Sequence, residues 1–153
     1  MNKSTMWIKF AIIFQLITAA MHSLSFFNEP IPSNESESQL IHLMTTLRFD
    51  FGAGFTPTMQ DLMNSFSISL TLLLIFGGVL NWFLLLKQAE PHLIKGVILI
   101  QVLIFGLCLI ATYFLTFLVP VISIALIFVA LLLTYFTIPA YSKEKIIIHN
   151  TKS

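Results

Sequence analysis

Four long apolar runs set the pattern of the chain: Trp7 to Phe27, Phe66 to Leu86, Leu93 to Leu115 and Leu118 to Ile138. A helix needs about 20 residues, rising about 1.5 Å each, to cross a hydrocarbon core roughly 30 Å thick. The runs are continuous rather than alternating, which predicts helices and not barrel strands. The polar punctuation predicts where the helices begin. TPTMQD, ahead of the second run, offers two starts. Either Thr56 caps with Pro57 at the first helical position, or Thr58 caps with Asp61 three residues on. Only LTFLVP separates the third and fourth runs, and Pro120 suits the first turn of the fourth, so these two form a tight antiparallel hairpin. The expected fold is an all-α bundle of four transmembrane helices in a single membrane domain, residues 1–153, with an outer loop over 28–65.

Inside that loop the pattern changes. Ser36 with Gln39 resembles a capping box, and Leu40, Met44 and Leu47 then share a helical face with Ile41 and Leu43 beside them. This predicts a short amphipathic helix, Glu35 to Leu47, lying across the outer ends of the spans or on the membrane surface. RFDFGAGF alternates briefly, and its two glycines predict an irregular turn rather than a stable strand. The tail IIIHNTKS is expected to fray.

Composition agrees with a lipid environment. The chain is 57% hydrophobic and 10% charged, where soluble domains carry about 25% charged residues. A net charge of +1 argues against a nucleic-acid partner. The single cysteine, Cys108, excludes an internal disulfide and every CxxC reading, and it sits in an apolar run as a small packing residue. Charge also orients the chain. Lys3, Lys9, Lys87, Lys95, Lys143, Lys145 and Lys152 fall on one side and Arg48 alone on the other. The positive-inside rule then puts both termini in the cytoplasm and the chain in the cell (inner) membrane. The outer loop holds Glu29, Glu35, Glu37, Asp50 and Asp61, and Trp7, Trp82, Tyr113 and Tyr135 fall near the interfaces. MNKSTMWIK followed by FAIIFQLITAA also reads as a signal peptide with small residues near Ala20, but apolar character continues to Phe27, which favours an uncleaved span.

Each span carries one small or polar stripe. On the first, Ala11, Gln15, Thr18, His22 and Ser25 recur at helical spacing. Asn64, Ser67, Thr71, Leu74, Gly78 and Asn81 do so on the second. The third offers Gln101, Phe105, Cys108 and Thr112, and the fourth Ser123, Ala130 and Thr134. Stripes that face one another serve packing, with Gln15, Asn81, Gln101, Ser67 and Thr71 bonding across helices. The functional alternative is a polar pocket in the outer leaflet around His22, with Gln15, Ser25, Asp61 and Thr112 as its lining and Arg48 and Asp50 above it in the loop. An Asp61–His22 pair would hold an imidazolium or set one tautomer. Such a pocket suits a small amphiphile, a lipid or a quinone.

Other chemistry finds little support. His42, His92 and His149 are expected to face solvent, so a bis-histidine haem has only His22 within a span, with His42 the one residue able to fold over it. No cofactor and no metal are expected. Proton-coupled drug exporters of this length use a glutamate in the first span, where this chain has Gln15. Thiol-dependent quinone reductases need a cysteine pair. A serine hydrolase would need an acid and a base arranged round its nucleophile; Ser23 and Ser25 are near His22 in sequence, but Ser23 points about 100° away on the helix, and catalysis is not expected.

One resemblance adds to this reading. HSLSFF closing the first span, an acidic loop, and RFDFGAGFTPTMQDLMNSFSISL leading into the second resemble a family of small uncharacterised bacterial four-span membrane proteins. The match covers roughly residues 8–85 and falls on His22, Phe49, Asp50, Asp61, Phe66 and Ser69. The chain departs from that family in reading TPTMQD where a basic residue and Trp precede the Asp, and in having Ser65 and Ser67 where glycine is favoured. The layout is also distantly similar to the DoxX type. The resemblance implies the four-span fold and the His22 site but no substrate. The expected role is a non-enzymatic accessory or partner-binding subunit, whose partners are the bilayer and either further copies of itself or another membrane protein.

Overall fold

The computed structural model describes residues 3–24, 26 and 31–139. Among these the chain is all-α, with five helices: α1 (Lys3–Leu24), α2 (Glu35–Thr46), α3 (Met59–Leu86), α4 (Pro91–Leu115) and α5 (Leu118–Thr137). All but α2 are long and apolar enough to cross a membrane. The protein is thus a multi-pass membrane protein by length and composition. The tail that was expected to fray, with His149, lies outside the described residues, as do Ser25 and Phe27.

The helix ends follow from local chemistry. Helix α3 starts seven residues before the apolar run because the second of the two caps forms. The Thr58 hydroxyl accepts from the Asp61 N–H (3.1 Å), and the Asp61 carboxylate accepts from the Thr58 N–H (2.9 Å) and hydroxyl (2.8 Å). The cap thereby satisfies donors that the first turn leaves open. At 28 residues α3 is about 42 Å long, more than the hydrocarbon core needs. Helix α4 opens on Pro91 at its first turn, where a missing N–H costs nothing. Thr116 and Phe117 alone join α4 to α5, which pack against each other as the expected hairpin.

Helix α2 spans Glu35–Thr46, close to expectation, but its cap is not Ser36 with Gln39. Asn34 is the N-cap and accepts from the Glu37 N–H (2.9 Å), while the Glu37 carboxylate accepts from the Ser33 N–H (2.6 Å). The competing Gln39 amide instead donates to the Glu35 carboxylate. After α2 the chain makes a small hairpin. Arg48 and Thr58 form one antiparallel bridge, the Phe49 N–H donates to the Pro57 carbonyl, and the Phe51 N–H donates to the Phe55 carbonyl. The tip, Gly52-Ala53-Gly54, has positive φ at all three residues, the conformation for which its glycines are suited.

The chain forms two compact units, divided within α1 and within α3. One comprises α1 up to Gln15 together with the chain from Gly77 onward. Its core is Ile8 and Ala11 of α1, Leu84 of α3, Ile98, Val102 and Phe105 of α4, and Ile124, Ile127, Ala130 and Leu131 of α5. These recur at three- and four-residue intervals, one face per helix. The other unit, Leu16–Phe76, includes α2 and the hairpin, and Ala19, Thr58, Thr71 and Leu74 are buried there.

Candidate functional site: a carboxamide cluster between helices

Three uncharged amides meet in the first unit: Gln15 from α1, Asn81 from α3 and Gln101 from α4. Gln15 and Asn81 are fully buried and Gln101 nearly so. The Gln15 amide donates to the Gln101 carbonyl oxygen (3.0 Å). Asn81 donates to the carbonyl oxygens of both Gln15 (3.1 Å) and Gln101 (3.0 Å). Gln101 in turn donates to the Asn81 oxygen (2.8 Å). Every member donates and accepts, so the ring closes on itself. An isolated buried amide in an apolar interior costs several kcal/mol on the order of the values for transfer to hydrocarbon, and mutual bonding removes that cost.

Gly77 makes the cluster possible. It lies one turn before Asn81 on the same face of α3, and a Cβ there would stand 2.7 Å from Gln15 Nε2. The side chain of Gln15 therefore occupies the space that any larger residue at 77 would take. The polar stripe pointed to Asn81 and Gly78 but not to Gly77. The signal that could have found it is the four-residue spacing from Asn81.

Of the described stripe residues all but Asn64 are buried or half-buried; Asn64 is exposed and accepts from the Gln60 amide (3.0 Å), and the hydroxyls bond differently from expectation. Among the described residues Thr71, Thr112, Ser123 and Thr134 bond within their own helices and not across. Each hydroxyl donates to a carbonyl three or four residues earlier on its own helix: Ser67, Cys108 with Leu109, Val119 and Ala130 respectively. A hydroxyl reaches its own backbone with less ordering than it needs to reach a neighbour, whereas the longer amides span the gap. Ser67 is half-buried.

The residues expected to line a pocket around His22 are distributed as follows. His22 is half-buried and meets the Phe26 ring edge-on, 6.0 Å between centroids and 75° between planes. Gln15 is held in the amide cluster, seven residues or about 10 Å along the helix from His22. Asp61 is exposed and engaged by Thr58 in the α3 cap. Thr112 is half-buried and bonded within α4. Ser25 lies outside the described residues. The loop candidates brace the hairpin: the Arg48 guanidinium donates to the Thr56 carbonyl (3.0 Å) and the Asp50 carboxylate accepts from the Gly52 N–H (2.8 Å). His42 and His92 are exposed, as expected.

A cavity of about 210 Å³ lies elsewhere, in the first unit, lined by Ser4, Thr5 and Ile8 of α1, Leu85 of α3, Ile94 of α4 and Thr134 of α5 among others. None of the residues expected around His22 lines it. Nearby, Lys95 donates to the Ile138 carbonyl (3.2 Å) and stands 4.9 Å from the Tyr135 ring centroid, a cation closing the C-terminal end of α5 where the helix dipole favours it.

Compared with known proteins, the chain matches no family model, no curated protein and no solved structure.

Proposed function

We propose that this protein is a non-enzymatic accessory or partner-binding subunit of the cell membrane, with both termini in the cytoplasm. The observation that carries the reading is the closed ring of Gln15, Asn81 and Gln101. All three are buried, and each amide donates to and accepts from another member of the cluster. Neutral carboxamides bonded in a ring tie helices together and hold no charge for a proton or ion to follow. The orientation rests on the seven lysines that the four spans collect on one side.

A second reading, a small amphiphile such as a lipid or quinone held beside His22, is favoured by one observation: His22 is half-buried against an aromatic edge. Native mass spectrometry on protein gently extracted from its own membrane separates the two. A fixed oligomer or a stoichiometric protein partner, with no small molecule attached, supports the subunit reading. A small molecule that stays bound, and is lost in His22→Ala while the fold persists, replaces it with the second.

A further inference from the structure

Residues 31–58, between α1 and α3, are rich in polar residues, yet several of their large apolar side chains face outward. Leu40, Leu43 and Leu47 are each more than half exposed, at spacings of three and four on one side of α2 and its cap. Ile41 and Met44, beside them, are half-buried and attach the helix to its unit. Phe51 and Phe55 flank the hairpin tip and are 65% and 71% exposed. The tip cannot readily fold them inward. The Phe51–Phe55 and Phe49–Pro57 backbone bonds, the Arg48 bond to Thr56 and the Asp50 bond to Gly52 all hold the arms.

Exposed apolar groups of this number in one short segment call for a covering surface. The second arm of the hairpin runs directly into α3, whose first turns expose Met59, Met63 and Phe66. Helix α3 is long and apolar enough to span the membrane, and its exposed Met59, Met63 and Phe66, interleaved with the polar Gln60, Asp61 and Asn64, lead from the hairpin into that span. Both ends of the segment are anchored in spans, which keeps it at the bilayer boundary. Its charge points the same way. Residues 31–58 carry Glu35, Glu37 and Asp50 against the single cation Arg48, so attraction to the surface has to come from apolar burial and not from anionic lipid.

We propose that the Leu40–Leu43–Leu47 face of α2 and the Phe51/Phe55 hairpin tip are sunk together into the headgroup–acyl boundary of the bilayer. The loop then lies in the interface as a collar on the lipid side of its unit, with Ser38, His42 and Thr45 toward water. This goes beyond the proposed function and does not depend on it, since it concerns lipid whether or not a partner protein exists.

The test places one indole at a time. Leu43→Trp, Phe55→Trp and, as a water-facing control, Ser38→Trp are made in the full chain carrying Trp7→Phe and Trp82→Phe. Leu40→Trp serves where L43W does not fold. Each variant goes into phosphatidylcholine nanodiscs with plain or acyl-brominated lipid. The expected result is that brominated lipid at least halves the emission of L43W and F55W and leaves S38W little changed, while iodide quenches S38W severalfold more than the other two. Equal iodide access at all three positions overturns the proposal. So does shielding of L43W and F55W from iodide and bromine alike, together with cross-linking to a second copy, which would give this face to a protein contact.

Discussion

Gly77→Ala probes the amide ring without touching any of its members. The added Cβ would stand 2.7 Å from Gln15 Nε2, 3.4 Å from Gln15 Cδ and 3.5 Å from Gln101 Oε1. The nearest atom ends a flexible side chain, so Gln15 can swing aside, but only by releasing its bonds to Gln101 and Asn81. Interhelical bonds of this kind in membranes average about 0.6 kcal/mol and reach about 1.7. Two of them set the expected loss at about 1–3 kcal/mol, or roughly 5- to 150-fold in the folding equilibrium. The helical preference of Ala over Gly, about 1 kcal/mol in water, offsets little, because a helix in lipid already has its backbone bonds formed. Reversible unfolding in mixed micelles with rising dodecyl sulfate measures the loss. The decisive comparison is a double-mutant cycle with Gln15→Ala, which empties the space that the new Cβ needs. In that background Gly77→Ala should be neutral or slightly stabilising. Costs that add within about 0.5 kcal/mol across the cycle would refute the contact as the cause.

Four further outcomes follow from the same geometry. Replacing Gln15, Asn81 and Gln101 together by Leu should destabilise far less than the sum of the three single Leu variants in the same unfolding assay, because only the singles strand partners. Thr58→Ala should cost about 1 kcal/mol and speed amide exchange in the first turn of α3, with no change in α4. Lys95→Met should speed exchange over the last turn of α5, where it removes the bond to the Ile138 carbonyl. Glu37 gives a pH dependence. The Ser33 backbone N–H it accepts from holds its carboxyl below its ordinary value of 4.5, so its contribution to the α2 cap is present above that value and is lost as pH falls through the lower folded value. Amide exchange at the start of α2 should rise over that acid range, and Glu37→Gln should abolish the rise.

The spans were legible because lipid leaves the backbone one economical solution, and length with continuity then suffices. The start of α3 was legible as one of two alternatives, since TPTMQD contains both caps and only the reciprocal bonding of Thr58 with Asp61 chooses between them. The α2 cap was misread for a related reason. Ser36 and Gln39 have the right spacing, but Asn34 stands two residues earlier, and Glu37 reaches the Ser33 N–H from there. Where two signatures overlap, the one at the true first turn takes the open donors. Thr71 was expected to bond across helices and instead donates to the Ser67 carbonyl of its own helix, because sequence shows which face a side chain is on and not how far it reaches.

Gln15 shows the remaining limit most clearly. It shares a face of α1 with His22, and a stripe treated as one surface suggests that both line one pocket. Yet seven residues are almost two turns, about 10 Å of rise, and that distance is close to the separation of packed helix axes. Partners on a neighbouring helix therefore lie nearer to Gln15 than His22 does. Asn81 and Gln101 are such partners: Gln15 donates to Gln101 and accepts from Asn81. A polar stripe on a span is for this reason better understood as a series of levels, each satisfied sideways, than as a continuous site. On α1 the level of Gln15 is closed by amides from α3 and α4, and whatever His22 does is decided separately, at its own depth.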